Sequence, residues 1–129
     1  MQFYELAKRR KKKIEEEIAL LEKQISNAPE GRLDINRNGN RYKWYVSDSS
    51  AGRRYISKEK ESYAAALAKK TYNLRKLSIQ KKERDAISVY INKHQANDKL
   101  IKLLMQGSEE FSRLVLKGDE DAKFDDKVE

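Results

Sequence analysis

The stretch RLDINRNGNRYKWYV, Arg32 to Val46, restricts the fold of this chain more than any other. Two runs of alternating apolar and polar residues flank an Asn-Gly pair. That pattern is a strong β-hairpin signal, because Asn and Gly accept the positive φ a two-residue turn demands. A type I′ turn at Asn38-Gly39 sets the register: Arg37 faces Asn40, Ile35 faces Tyr42 and Leu33 faces Trp44. Side chains alternate with period two, so Leu33, Ile35, Tyr42 and Trp44 share one face expected to be buried, with Val46 beside them. Arg32, Asp34 and Asn36 oppose Tyr45, Lys43 and Arg41 on the other face. Turn and alternation are independent signals, and they agree.

A polar loop, SDSSAG (47–52), follows, and then RRYIS (53–57), a short β-prone run that makes a third strand. Its register does not follow from the sequence, so either Arg53 or Arg54 joins the polar face. Ser57 is placed to cap the next helix, with Glu59 and Glu61 in its first turn.

Helices surround this sheet. From Gln2 to about Asn27, the residues Tyr4, Ala7, Lys11, Ile14, Ile18, Leu21 and Ile25 recur at alternating spacings of three and four. That spacing is the seam of a coiled-coil-like helix, interrupted at Lys11. KRRKKK (8–13) wraps the helix, and EEE (15–17) supplies partners three and four residues on. Pro29 in NAPEG stops it. A second helix is expected from Lys58 to about His94, with Tyr63, Ala64, Leu67, Ala68, Thr71 and Leu74 on one face. QKKERD (80–85), polar all round, marks a solvated or kinked middle. After a break at QAND (95–98), two short helices read as DKLIKLLMQG, closed by Gly107, and SEEFSRLVLKG, capped by Ser108 and closed by Gly118.

The expected architecture is α+β and mostly helical. It comprises a long N-terminal helix (1–28), a three-stranded antiparallel sheet, a long second helix and two short C-terminal helices. Residues 29–118 form one domain with 1–28, and the sheet lies between the two long helices. Residues 119–129 form an acidic tail or linker without structure of its own. That tail carries six acids and two lysines, so residues 1–118 hold +12 of a total of +8. A body this basic draws polyanions through long-range field and counterion release.

Composition narrows the chemistry further. No run approaches the ~20 apolar residues of a membrane span, so no membrane partner is expected. The opening MQFYELAKRRKKK lacks the apolar stretch of a signal peptide. The absence of cysteine fits a reducing, cytoplasmic setting and excludes Cys-based zinc sites. Histidine occurs once, at His94 on an apolar stripe, where a structural role is expected. All five glycines are isolated, so no phosphate-cradling glycine loop exists. Neither a catalytic constellation nor a metal or cofactor site is expected.

Binding residues are better represented. Arg32, Arg41, Lys43 and Tyr45 share the polar face of the hairpin, with Arg53 or Arg54 adjacent. Arginine pairs bidentately with guanine edges or phosphate, and a small antiparallel sheet can enter the major groove. Two function classes follow. The first is a non-catalytic nucleic-acid-binding module, with DNA the favoured target. The second is a helical interaction or oligomerisation module, in which Ile14, Ile18, Leu21 and Ile25 pair with a second copy or a partner helix.

Beyond these patterns, PEGRLDINRNGNRYKWYV and GRRYISKEKESYAAALAKKTYNLRKL resemble the N-terminal region of a family of uncharacterised Firmicutes proteins. In that family a P-E-G-x-L-x-I segment leads into an aromatic-rich strand, and a K-Y-I-P-K turn opens an A-x-A-L-A-x-K-x-Y helix. Pro29-Glu30-Gly31, Leu33 and Ile35 match the first motif, and Tyr55-Ile56 and Lys58 the second. Ala64, Ala66-Leu67-Ala68, Lys70 and Tyr72 match the third. Ser57 stands where the family has proline. The likeness covers about residues 20–125. Longer family members resemble PD-(D/E)xK nucleases in their C-terminal part, which implies a targeting role for this region. It lends no catalytic residue here, since a nuclease region would lie beyond Glu129. The order of three strands followed by a helix also resembles the arm-type DNA-binding domain of tyrosine integrases, as an analogy of topology.

Overall fold

The structure is a computed structural model that describes residues 2–128, with side chains described through Ala122. Its elements are α1 (Gln2–Ser26), β1 (Arg32–Asn38), β2 (Arg41–Asp48), β3 (Gly52–Ile56), a 3₁₀ turn (Lys58–Lys60), α2 (Glu61–Leu103) and α3 (Glu109–Val128). The three strands form one antiparallel sheet in the order β1-β2-β3. The chain is mostly helical with a small antiparallel sheet, as its periodicities predict. It divides into two compact units, Met1–Ser88 and Val89–Glu129, with the boundary inside α2.

In the first unit α1 runs antiparallel to α2: Gln24 reaches Asn73, whereas Glu17 reaches Gln80. Ile14, Ile18 and Leu21 are buried along this seam, and Ile25 is half-buried. The chain's own α2 therefore fills the seam, and these residues serve the fold. Arg10–Glu83 at 3.5 Å and Lys81–Glu22 at 3.9 Å flank it as exposed ion pairs. Such pairs add little to stability. The buried amides matter more. Asn73 donates to Gln24 Oε1 at 3.5 Å and Gln80 donates to Glu17. Sliding the helices would strand these polar groups without partners, so the two contacts favour one alignment.

QKKERD is solvated on one side only: Lys82, Glu83 and Asp85 are exposed, whereas Lys81 and Arg84 are half-buried. Gln80 is buried there, and α2 passes through unbroken. Two further expected breaks are absent. QAND and the turn after it lie inside α2, because no Pro or Gly occurs between Lys58 and Leu103. Of the two short helices expected, the first is the end of α2, and the second is the start of a longer α3. It continues through Gly118 and the acidic segment to Val128, since a lone glycine weakens a helix by only about 1 kcal/mol. Ser108 does cap α3: its Oγ accepts the Phe111 N–H at 3.1 Å. Ser57 does not cap α2 with its side chain. Its carbonyl accepts the Lys60 N–H at 2.9 Å and closes the 3₁₀ turn instead.

The sheet packs on the first turns of α2. Val46 and Ile56 meet Ala64 and Leu67, with Leu33, Trp44 and Tyr63 packed against them. All the helical residues of this cluster come from α2, which corrects the expectation of a sheet held between two helices. Lys70 Nζ ties the strand's approach to α2, donating to Pro29 O at 2.9 Å and Gly31 O at 3.3 Å.

At the far end of β2, Asp48 organises the loop to β3. Its Oδ1 accepts the Ala51 N–H at 2.6 Å and the Ser50 N–H and hydroxyl at 3.1 Å, while Oδ2 accepts from Arg54 at 2.9 Å. The Ala51 N–H above all, helped by Ser50 and Arg54, holds this carboxyl below the usual carboxylate range. A folded-state value below the unfolded one means stability that is fully present near neutrality and fades as pH falls through the lowered value. Asp48→Asn is therefore expected to lower the unfolding midpoint near neutral pH. Its gap from wild type should close on acidification below the usual carboxylate range. Urea midpoints across an acid series check this, and a gap constant with pH would refute it.

Candidate nucleic-acid interface

The hairpin turn lies one residue later than expected. Asn38 pairs with Arg41, Arg37 with Tyr42, Ile35 with Trp44 and Leu33 with Val46. The turn residues are Gly39 and Asn40. Gly39 has φ +64, and among the described residues no non-glycine has positive φ. A type I′ turn needs positive φ at both central residues, whereas type II′ needs it only at the first, where glycine sits. Asn40 is thereby spared a left-handed backbone. Arg37 Nε donates to Gly39 O at 3.0 Å across this turn.

The correction changes partners but not faces. Moving a two-residue turn by one position shifts every pair by two, so the alternation survives. Asp34 now opposes Tyr45 rather than Lys43, and Asn36 opposes Lys43. The outer face carries Arg32, Asp34 and Asn36 from β1, Arg41, Lys43 and Tyr45 from β2, and Arg53 and Tyr55 from β3. Arg53 opposes Ser47 and belongs to this face. Arg54 opposes Val46 and pairs with Asp48, so it is not part of the outer face.

Within the outer face one group of residues is braced and another is free. Asp34 accepts the Ser47 hydroxyl at 2.9 Å and lies 3.8 Å from Arg32 and 4.0 Å from Arg53. The Arg53 guanidinium stacks 4.1 Å from the Tyr45 ring centre, and Tyr45 meets Tyr55 edge-on at 5.7 Å. These contacts fix the orientation of Tyr45 and Arg53. The side chains of Arg41 and Lys43, by contrast, are exposed and make no hydrogen bond or ion pair among the described residues.

Burial of the inner face is confined to its base. Val46 and Ile56 are buried, Leu33 and Trp44 are half-buried, but Ile35 is 55% exposed and Tyr42 48%. The expectation of a fully buried Leu33-Ile35-Tyr42-Trp44 face is thus corrected: the hairpin tip extends past its α2 support. Trp44 is covered on one side by Lys58, whose Nζ lies 3.6 Å from the ring centre. Asn36, Tyr55 and Lys58 join the site residues expected from the sequence. Alternation alone identifies Asn36, whereas Tyr55 and Lys58 depend on the β2–β3 register.

His94 lies 5.9 Å from Tyr90, ring to ring, in the second unit. Among the described residues, no group of three or more His, Cys, Asp or Glu side chains is placed to hold a metal ion, and no helix is long and apolar enough to cross a membrane. Comparison with protein-family models, with curated proteins and with solved structures finds no match.

Proposed function

We propose that this chain is a non-catalytic nucleic-acid-binding module that offers the outer face of its sheet to the major groove of duplex DNA. The observation that carries the reading is the unpaired state of Arg41 and Lys43 on a hairpin tip that extends beyond its helix. Cations with internal partners would have to break them before binding, and these two have none among the described residues. Arg32, Arg41 and Arg53 suit guanine edges or phosphate, Asn36 suits adenine, and the two-stranded tip formed by β1 and β2 suits the groove's width. Asp34 steadies the arginines beside it. On this reading the module works in a reducing cytoplasm and targets a nuclease-like protein to DNA, as the resemblance of its P-E-G and A-x-A-L-A segments implies.

A second reading draws on the second unit. Leu100, Ile101 and Leu104, and Phe111 and Leu114 of α3, are each more than half exposed. Such apolar exposure suits an interaction surface. One titration separates the two. Affinity for labelled duplex DNA should fall steeply with salt, with a slope near −0.9 for each phosphate neutralised, and should exceed that for single-stranded RNA. Apolar association does not weaken with salt in this way. Absence of salt-sensitive binding to either nucleic acid would leave the interaction reading alone standing.

A further inference from the structure

β3 ends at Ile56, opposite Trp44, so Arg41, Tyr42 and Lys43 of β2 continue without a neighbouring strand on that side. Had the ladder continued, Tyr42 would have faced Lys58. The chain instead turns away at Ser57, and the Lys58 side chain returns: its Nζ donates to Tyr42 O at 2.6 Å while resting on Trp44. The result is an open notch at the sheet edge lined by Arg41, Tyr42, Lys43, Tyr55 and Lys58. Three cationic residues therefore line one concavity, with two exposed tyrosines among them.

We infer that this notch binds a terminal phosphate monoester of a nucleic acid, an inference that rests on the nucleic-acid reading above and narrows it to strand ends. The ammonium of Lys58 has three donors, and the Tyr42 carbonyl takes one of them. The rest, with the groups of Arg41 and Lys43 and the tyrosine hydroxyls, exceed what the two free oxygens of a phosphodiester can accept. A monoester supplies three terminal oxygens and a charge of about −1.5 to −2 at neutral pH. It also ends the chain, so it can enter a concavity that a continuous backbone must pass over. The tyrosine rings offer the first base an apolar surface to stack on. Lys58 is held by Trp44 and by a backbone carbonyl, so little side-chain freedom is lost on binding.

The test compares short duplexes of one sequence bearing 5′-phosphate or 5′-hydroxyl ends, titrated at fixed salt against the full chain. Wild type should prefer the phosphorylated duplex by about tenfold, the size of one further charge-assisted hydrogen bond. Trp44, the single tryptophan, should change its emission with the phosphorylated duplex and not with the other. Lys58→Gln, which keeps a donor for the Tyr42 carbonyl, should reduce the preference to near unity. The readout is a ratio within one variant, so a change in overall affinity does not obscure it. Equal wild-type affinity for both ends, with salt-sensitive binding intact, would overturn the notch and leave the binding reading standing. Loss of salt-sensitive binding to both would overturn the two together. An undiminished preference in Lys58→Gln would also overturn the notch, since Lys58 would then not hold the phosphate.

Discussion

Arg41→Glu combined with Lys43→Glu should weaken duplex DNA binding by on the order of a hundredfold or more, since charge-assisted contacts are worth roughly 1.5–3 kcal/mol each and their reversal adds repulsion. The unfolding midpoint should barely move. Neither side chain has a partner among the described residues, and surface changes of that kind usually stay within ~0.5 kcal/mol. The slope of log affinity against log salt should also flatten by about one for each phosphate contact removed. Arg53 would be a poorer probe, because its reversal also breaks the stack on Tyr45 and places a second acid beside Asp34. Anisotropy titrations at two salt concentrations, paired with urea unfolding, separate the binding effect from any loss of fold. A reversed variant that binds like wild type would show that the outer face is not the interface.

The reversal can be designed from sequence alone because face membership depends only on parity. The expected turn at Asn38-Gly39 and the observed one at Gly39-Asn40 give different partners yet the same outer residues. What parity cannot give is coverage. Whether Ile35 and Tyr42 are buried depends on where α2 passes beneath the sheet, and nothing in an alternating strand records that. The choice between Arg53 and Arg54 was hidden for a related reason, since it turns on the geometry of the Asp48-braced loop rather than on strand composition. In the helices, polarity misled. Gln80 looks like surface in QKKERD, but it is buried because Glu17 of α1 receives its amide hydrogen. The QAND segment looks like a loop by composition, but without Pro or Gly it has no physical reason to leave the helix.

The same architecture explains how a tip can stay exposed while the sheet stays ordered. Support is concentrated where Val46 and Ile56 meet Ala64 and Leu67, and the hairpin extends from that anchor as a short lever. Order at the tip then comes from the backbone ladder and the Arg37 bond across the turn, while the stacked Arg53-Tyr45-Tyr55 row stiffens the outer face over the anchor. A face built in this way can lose side chains at its tip without losing its fold, but not a contact at its base.

Gly31→Ala tests that base and should cost about 2–4 kcal/mol, the sum of backbone strain and overpacking. Gly31 has φ +101, a conformation L side chains rarely adopt. An added Cβ would also lie 2.6 Å from Val46 Cγ2 and 3.2 Å from the Ser47 carbonyl. Val46 is 2% exposed and locked among Ile56, Ala64 and Leu67, so it has nowhere to retreat. Gly39→Ala supplies the contrast: its φ is +64, but a Cβ there meets nothing within 4 Å. It should therefore carry the backbone term alone, about 1 kcal/mol. If denaturant midpoints fall equally for the two substitutions, packing at Val46 is not the anchor of the sheet. If Gly31→Ala falls markedly further, the hairpin is held at its base as described. Its duplex affinity, measured in conditions where the variant is still folded, should then stay close to wild type, because Arg41 and Lys43 lie at the other end of β2.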